Sequence, residues 1–172
     1  NLNLHEQGRG NRGGTAHVLA TAYPHTIMGI HDFTLVGGTQ SIVVATKDGE
    51  LYEAVYVDGS TNKISDETLS TSNYYDFEVF EDELYIVDGN TTPRIWTGGS
   101  GDTTEITGAS DWGAAEGPQW IVKHGRGASE RLWAGGCEDT PGTVYISPDG
   151  GLNYESDEPS CAVQSDQYSD CP

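Results

Sequence analysis

The stretch Tyr75-Asp76-Phe77-Glu78-Val79-Phe80-Glu81-Asp82-Glu83-Leu84-Tyr85-Ile86-Val87-Asp88-Gly89-Asn90 decides the fold class. Two short runs rich in aromatic and β-branched residues flank an acidic pair, Glu81-Asp82, and the second run stops at Asp88-Gly89-Asn90. Runs of this kind, bounded by turn residues, read as paired antiparallel strands. In Phe77-Glu78-Val79-Phe80 and Leu84-Tyr85-Ile86-Val87 most residues are apolar on both faces, the pattern of a sheet covered on both sides. Pro93-Arg94-Ile95-Trp96 supplies a further strand after the turn.

The same unit recurs on either side. Upstream, Ile27-Met28-Gly29-Ile30-His31-Asp32-Phe33 leads through Val36-Gly37-Gly38-Thr39 to Ser41-Ile42-Val43-Val44-Ala45, then through Lys47-Asp48-Gly49 to Glu50-Leu51-Tyr52-Glu53-Ala54-Val55-Tyr56-Val57. Downstream, Gln119-Trp120-Ile121-Val122-Lys123-His124 leads through Gly125-Arg126-Gly127 to Arg131-Leu132-Trp133-Ala134, and a longer loop through Cys137 reaches Thr143-Val144-Tyr145-Ile146-Ser147. Ile42, Leu84 and Leu132 register the middle strands of the three units. A period of about 40–50 residues with three or four strands per unit is the signature of propeller blades. A small sheet of this kind cannot bury both faces alone and stacks on its neighbours around an axis. No stretch sustains a helical apolar period without a Gly or turn cluster breaking it. The expectation is an all-β chain of antiparallel propeller-type blades. Three units fall short of the roughly four to eight that close a ring. The ring then closes with residues 1–26 and the tail, with other copies of the chain, or within a larger protein; a β-sandwich is the alternative architecture.

Residues 1–26 form a Gly-rich arm and first strand, residues 27–154 the three units (about 27–70, 71–117 and 118–154), and residues 155–172 an acidic, Ser/Asp-rich tail. The chain starts at Asn1 with no signal-like apolar segment, as expected of a processed product or a piece of a longer chain.

Composition narrows function. The chain has 172 residues and a net charge of −19, from 27 acidic and 8 basic side chains. Phosphate affinity comes from Lys and Arg, so specific nucleic-acid binding is not expected. Apolar stretches such as Ile42-Val43-Val44-Ala45 are strand-sized, far below the ~18–20 residues of a membrane-spanning helix, and no membrane insertion is expected. Cys137, Cys161 and Cys171 have no Cys-x-x-Cys spacing. A Cys161–Cys171 or Cys137–Cys161 disulfide suits an oxidising compartment, and free thiols suit a reducing one.

Ser147-Pro148-Asp149-Gly150-Gly151-Leu152-Asn153-Tyr154 resembles the Asp-box hairpin, Ser-x-Asp-x-Gly-x-x-Trp, of sialidase-type and other propellers, with Tyr154 in the Trp place. The work of Ser147, Asp149, Gly151 and Tyr154 in such a turn is structural: a side chain folds back on turn N–H groups, Gly accepts positive φ, and the aromatic packs inward. Sialidase chemistry needs an arginine cluster, whereas Arg9 and Arg12 lie in the arm, Arg94 stands alone and Arg126 and Arg131 share one turn. His5, His17, His25, His31 and His124 show no metal-ligand spacing, and no phosphate-binding Gly loop precedes a helix. No catalytic, cofactor or metal residue is assigned. Trp96, Trp112, Trp120 and Tyr154 read as blade-packing anchors, with sugar stacking as the other use of such rings. Asn90-Thr91-Thr92 is a glycosylation sequon on a turn.

The strand units also resemble propeller-bearing tail proteins of tailed bacteriophages. The resemblance is carried by Arg12-Gly13-Gly14-Thr15, Ile27–Phe33, Ile42–Thr46 and Gly49-Glu50-Leu51-Tyr52, by Leu84–Asn90 through Pro93-Arg94-Ile95-Trp96-Thr97-Gly98, and by Arg131–Gly135 through Val144–Ser147. Gly13 stands where that pattern has Pro, and the chain is shorter than a complete family member. The resemblance implies a non-enzymatic nozzle, hub or adaptor of a virion, partnered by copies of itself and neighbouring structural subunits and located in the extracellular particle. The alternative is a secreted or cell-surface binding module, carbohydrate-binding or filament-forming.

Overall fold

The computed structural model describes residue 23 and residues 25–34, 37–55, 60–99, 101–106, 117–126, 130–138 and 140–147, with the backbone of strands at 2–5, 8–11 and 163–164. The described chain is all β. It contains β1 (Leu2–His5) and β2 (Gly8–Asn11), then β3 (Ile27–Thr34), β4 (Gln40–Thr46), β5 (Leu51–Val55), β6 (Thr61–Lys63), β7 (Asp76–Phe80), β8 (Glu83–Val87), β9 (Arg94–Trp96), β10 (Thr104–Glu105), β11 (Trp120–His124), β12 (Arg131–Gly135), β13 (Thr143–Ile146) and β14 (Val163–Gln164). Among the described residues there is no helix, and so none long and apolar enough to cross a membrane.

β1 and β2 pair with each other, so the Gly-rich opening holds an antiparallel hairpin. The other strands form three four-stranded antiparallel meanders in chain order: sheet I (β3–β6), sheet II (β7–β10) and sheet III (β11–β14). β14, the fourth strand of sheet III, comes from the Ser/Asp-rich tail and pairs Thr143 with Gln164 and Val144 with Val163.

Turn chemistry sets each register. Gly49 and Gly89, after β4 and β8, have φ of 81° and 72°. The β7–β8 hairpin turns through Glu81 and Asp82, both left-handed at φ 48° and 64°. A two-residue turn with positive φ at both positions matches the twist of the flanking strands.

The sheets stack face to face with sheet II in the middle. Leu84 and Ile86 of β8 join Phe33, Val43, Ala45, Leu51 and Trp96 in one core cluster, between sheets I and II. Tyr85 and Val87, on the opposite face, join Ile121, Leu132, Ala134 and Tyr145 in a second, between sheets II and III. Those four β8 residues are all at most 2% exposed. The unbroken apolar run Leu84–Val87 is thus explained: neither face of β8 meets water. At the first seam the backbone comes so close that a Cβ on Gly29 would stand 2.7 Å from the Phe77 ring.

The lead-in to each first strand is tied down by a hydrogen bond. The Lys47 N–H donates to the Thr26 carbonyl (2.8 Å), Ser70 N–H to the Asp88 carboxylate (2.8 Å) and Gln119 N–H to the Gly135 carbonyl (2.8 Å), tying each lead-in to its own sheet. Leu69 N–H also donates to Gly49 O (2.8 Å), and Gly89 N–H to Pro118 O (3.0 Å), tying the second and third lead-ins to the preceding sheet. The second and third connections are thus each held to the sheet before and the sheet after.

Candidate functional site

The first strands β3, β7 and β11 lie at one edge of their sheets, so each carries backbone N–H groups that no strand of its own sheet accepts. Edge N–H groups invite pairing with foreign strands. At β7 they are capped from within. Asp76 accepts from the Phe77 N–H (3.0 Å) and, through its other oxygen, from the Ile121 N–H of β11 (2.9 Å). Glu78 repeats the pattern one pleat on, accepting from Val79 N–H (3.0 Å) and Lys123 N–H (2.8 Å). The Lys123 ammonium donates back to the Val79 carbonyl (3.1 Å). Alternation along β7 puts both carboxylates on one side, and two acids thereby join the edges of sheets II and III. The seam between sheets I and II is different: Tyr75 N–H donates to Met28 O (3.3 Å), and the His31 ring stacks on Phe77 with centroids 5.7 Å apart.

A second fastening lies at the outer strands. Arg94 is 3% exposed. Its guanidinium donates to Asp66 (2.5 Å), to Glu67, and to the Thr103 hydroxyl and carbonyl (both 2.8 Å), which locks the chain leaving sheet I onto sheet II. Asp88, also buried, accepts from Asn90 N–H (2.9 Å), Thr91 N–H (2.7 Å) and the Thr91 hydroxyl (2.8 Å), besides Ser70 N–H. Neighbouring Tyr75 is buried and donates its hydroxyl to the Ser70 carbonyl (2.7 Å); burial first, and the Asp88 charge second, push its phenol well above the ordinary tyrosine range. Lys63 is held above its ordinary value by its hydrogen bond to Glu50.

Of the residues singled out in the sequence, Ser147 is the member of the Asp-box-like motif within the described chain. It is 2% exposed, its Oγ accepts from Leu132 N–H (2.9 Å) and its own N–H donates to Leu132 O (2.8 Å), which pins the end of β13 to β12. Ser65 does the same for Leu51 N–H (3.1 Å) in sheet I. Asp149, Gly151, Tyr154, Trp112, Cys161 and Cys171 lie outside the described residues, and Cys137 is buried. Trp96 is core: its ring packs 5.5 Å from Phe33 and its Nε1–H donates to Gly101 O (3.0 Å), which removes it from any sugar-stacking role. His124 meets Trp133 edge-on. His25 contacts Asp48 (3.2 Å). Asn90 of the sequon is exposed. Among the described residues no group of three His, Cys, Asp or Glu side chains is arranged to hold a metal ion.

Sequence reasoning missed the seam carboxylates and the buried arginine. Acids at alternate positions of a first strand, Asp76 and Glu78, were the available signal for the seam; Arg94 has none, because its burial depends on partners 27 and 28 residues away.

The arrangement also leaves apolar side chains open. The large exposed hydrophobics among the described residues are Ile27 (46%), Ile30 (61%), Tyr74 (78%), Trp120 (37%) and Val122 (45%). Four of these five lie on β3 and β11, the first strands of sheets I and III. No protein-family model matches the chain, and no curated protein matches it.

Proposed function

We propose that this chain is a non-enzymatic scaffold: a set of propeller-type blades that works as one part of a multi-subunit assembly. The observation that carries the reading is the placement of exposed apolar side chains on β3 and β11, the terminal members of a stack whose middle sheet is buried on both faces. A stack that repeats one packing direction and ends on apolar strands has the form of a building block. The strand-pattern resemblance to phage tail proteins supports a virion as the setting. The buried polar groups described above are spent on fastening sheets, which supports structure over chemistry as their purpose.

The acidic surface fits such a part in a tail through which DNA passes, because it repels the phosphate backbone. The test is the mass and composition of the native particle, by electron microscopy and native mass spectrometry. Oligomers built from repeated copies of the chain, alone or within larger particles, are expected. A lone 18.4 kDa species overturns the proposal; measurable affinity for duplex DNA at about 0.1 M salt overturns the DNA-passage reading.

A further inference from the structure

Building on that scaffold reading, we propose that β11 of one copy docks on β3 of a second copy, head to tail, and that two copies close one ring. The two ends of the stack are chemically matched. β11 presents Trp120 and Val122, 37% and 45% exposed, and β3 presents Ile27 and Ile30, 46% and 61% exposed.

The internal seam shows how such strands meet. Val79 pairs with Leu84 in β7–β8, and Lys123 pairs with Leu132 in β11–β12. Leu84 and Leu132 occupy the same place in their sheets, so Trp120 and Val122 stand where β7 has Asp76 and Glu78. In β7 those two positions reach across to the N–H groups of the next first strand. In β11 the same positions carry apolar side chains and point to a next strand of apolar face. β3, with Ile27 and Ile30, is that strand.

Charge selects the same partner. The chain has 8 Lys and Arg against 27 Asp and Glu, yet exposed Arg126 stands at the β11–β12 turn, just beyond His124 at the end of β11. On β3 the exposed neighbour of Ile30 on the same face is Asp32. An arginine at that turn meeting Asp32 is favourable in a chain whose other surfaces repel one another.

Stoichiometry follows from closure. The two ends are different surfaces, so the contact is heterologous and must either close or run on as a filament. Rings of this architecture hold about four to eight sheets. One copy supplies three, two supply six, and three overshoot.

The experiment is charge-swap rescue on the full chain, read by analytical ultracentrifugation. All the substituted side chains are exposed, and circular dichroism confirms that each variant is folded. Native protein is expected at twice the 18.4 kDa chain mass. Ile30→Glu alone and Val122→Lys alone are each expected to weaken dimerisation at least tenfold, and Ile30→Glu/Val122→Lys together to restore it. In parallel, Ile30→Cys/Val122→Cys protein, mixed from isotopically heavy and light stocks, is expected to give 30–122 crosslinks joining heavy to light chains. A double variant that stays monomeric, a dimer indifferent to both single changes, or 30–122 crosslinks confined to one chain overturns the assignment. If native particles still hold many copies after the single changes, this seam is wrong and the scaffold reading survives; if the native chain is a lone monomer, both fall.

Discussion

Tyr75 and the Glu81-Asp82 turn show what single residues contribute. The Tyr75 phenol is held neutral by burial, so its pKa is higher folded than unfolded. The unfolded phenol ionises near its ordinary value of about 10. Tyr75 therefore costs nothing below that pH, and stability drops as pH rises from there toward the folded pKa. Urea midpoints measured from about pH 8 to 11 are expected to fall for the native protein and to fall less for Tyr75→Phe. At neutral pH the same variant is expected to lose about 0.5–1.5 kcal/mol with its hydrogen bond to Ser70 O. The turn works in the opposite direction: Glu81 and Asp82 occupy left-handed backbone, which Asn-Gly adopts at lower cost. Glu81→Asn/Asp82→Gly is expected to stabilise by ~1 kcal/mol, seen as a higher midpoint with an unchanged m-value.

Strands were legible wherever burial imposes a pattern. β8 spans Glu83–Val87, the run read from the sequence, because two buried faces leave no polar alternation to blur its ends. β4, β7, β11 and β12 also follow their apolar runs closely. The fourth strands did not announce themselves. β6 is Thr61-Asn62-Lys63, exposed throughout, and β10 is Thr104-Glu105, equally exposed. An outer strand that covers no core needs only backbone partners, and any polar residue supplies those. The tail strand β14 escaped notice because Val163-Gln164 is only two residues long. The seam between sheets II and III is an element-scale device made of residue-scale signals. Removing one acid there, Asp76→Ala or Glu78→Ala, leaves edge N–H groups without their acceptor and is expected to cost about 1–3 kcal/mol. Amide exchange checks it: Ile121 should lose protection in Asp76→Ala and Lys123 in Glu78→Ala, while the amides of β4 keep theirs.

At the scale of the molecule, −19 charges on 172 residues repel one another. Salt screens that repulsion, with a Debye length falling from about 30 Å at 0.01 M to about 3 Å at 1 M. The thermal midpoint is expected to rise across that range, and the half-exposed pairs of Arg94 with Asp66 and Glu67 are too few to reverse the trend. A midpoint that falls with salt would show that ion pairs outweigh the net charge. The proposed ring was the least legible in the sequence, because closure depends on what meets β3 and β11, and strand periodicity describes only what lies between them.

β8 has one more consequence. Its side chains are a wall common to two rooms: Leu84 and Ile86 furnish one, Tyr85 and Val87 the other. Neither room can be vacated while the other stays furnished, since a loosened wall opens both. The three sheets are therefore expected to melt together in one calorimetric transition, and a cavity cut on one side, such as Leu84→Ala, to be felt by Leu132 and Tyr145 on the other.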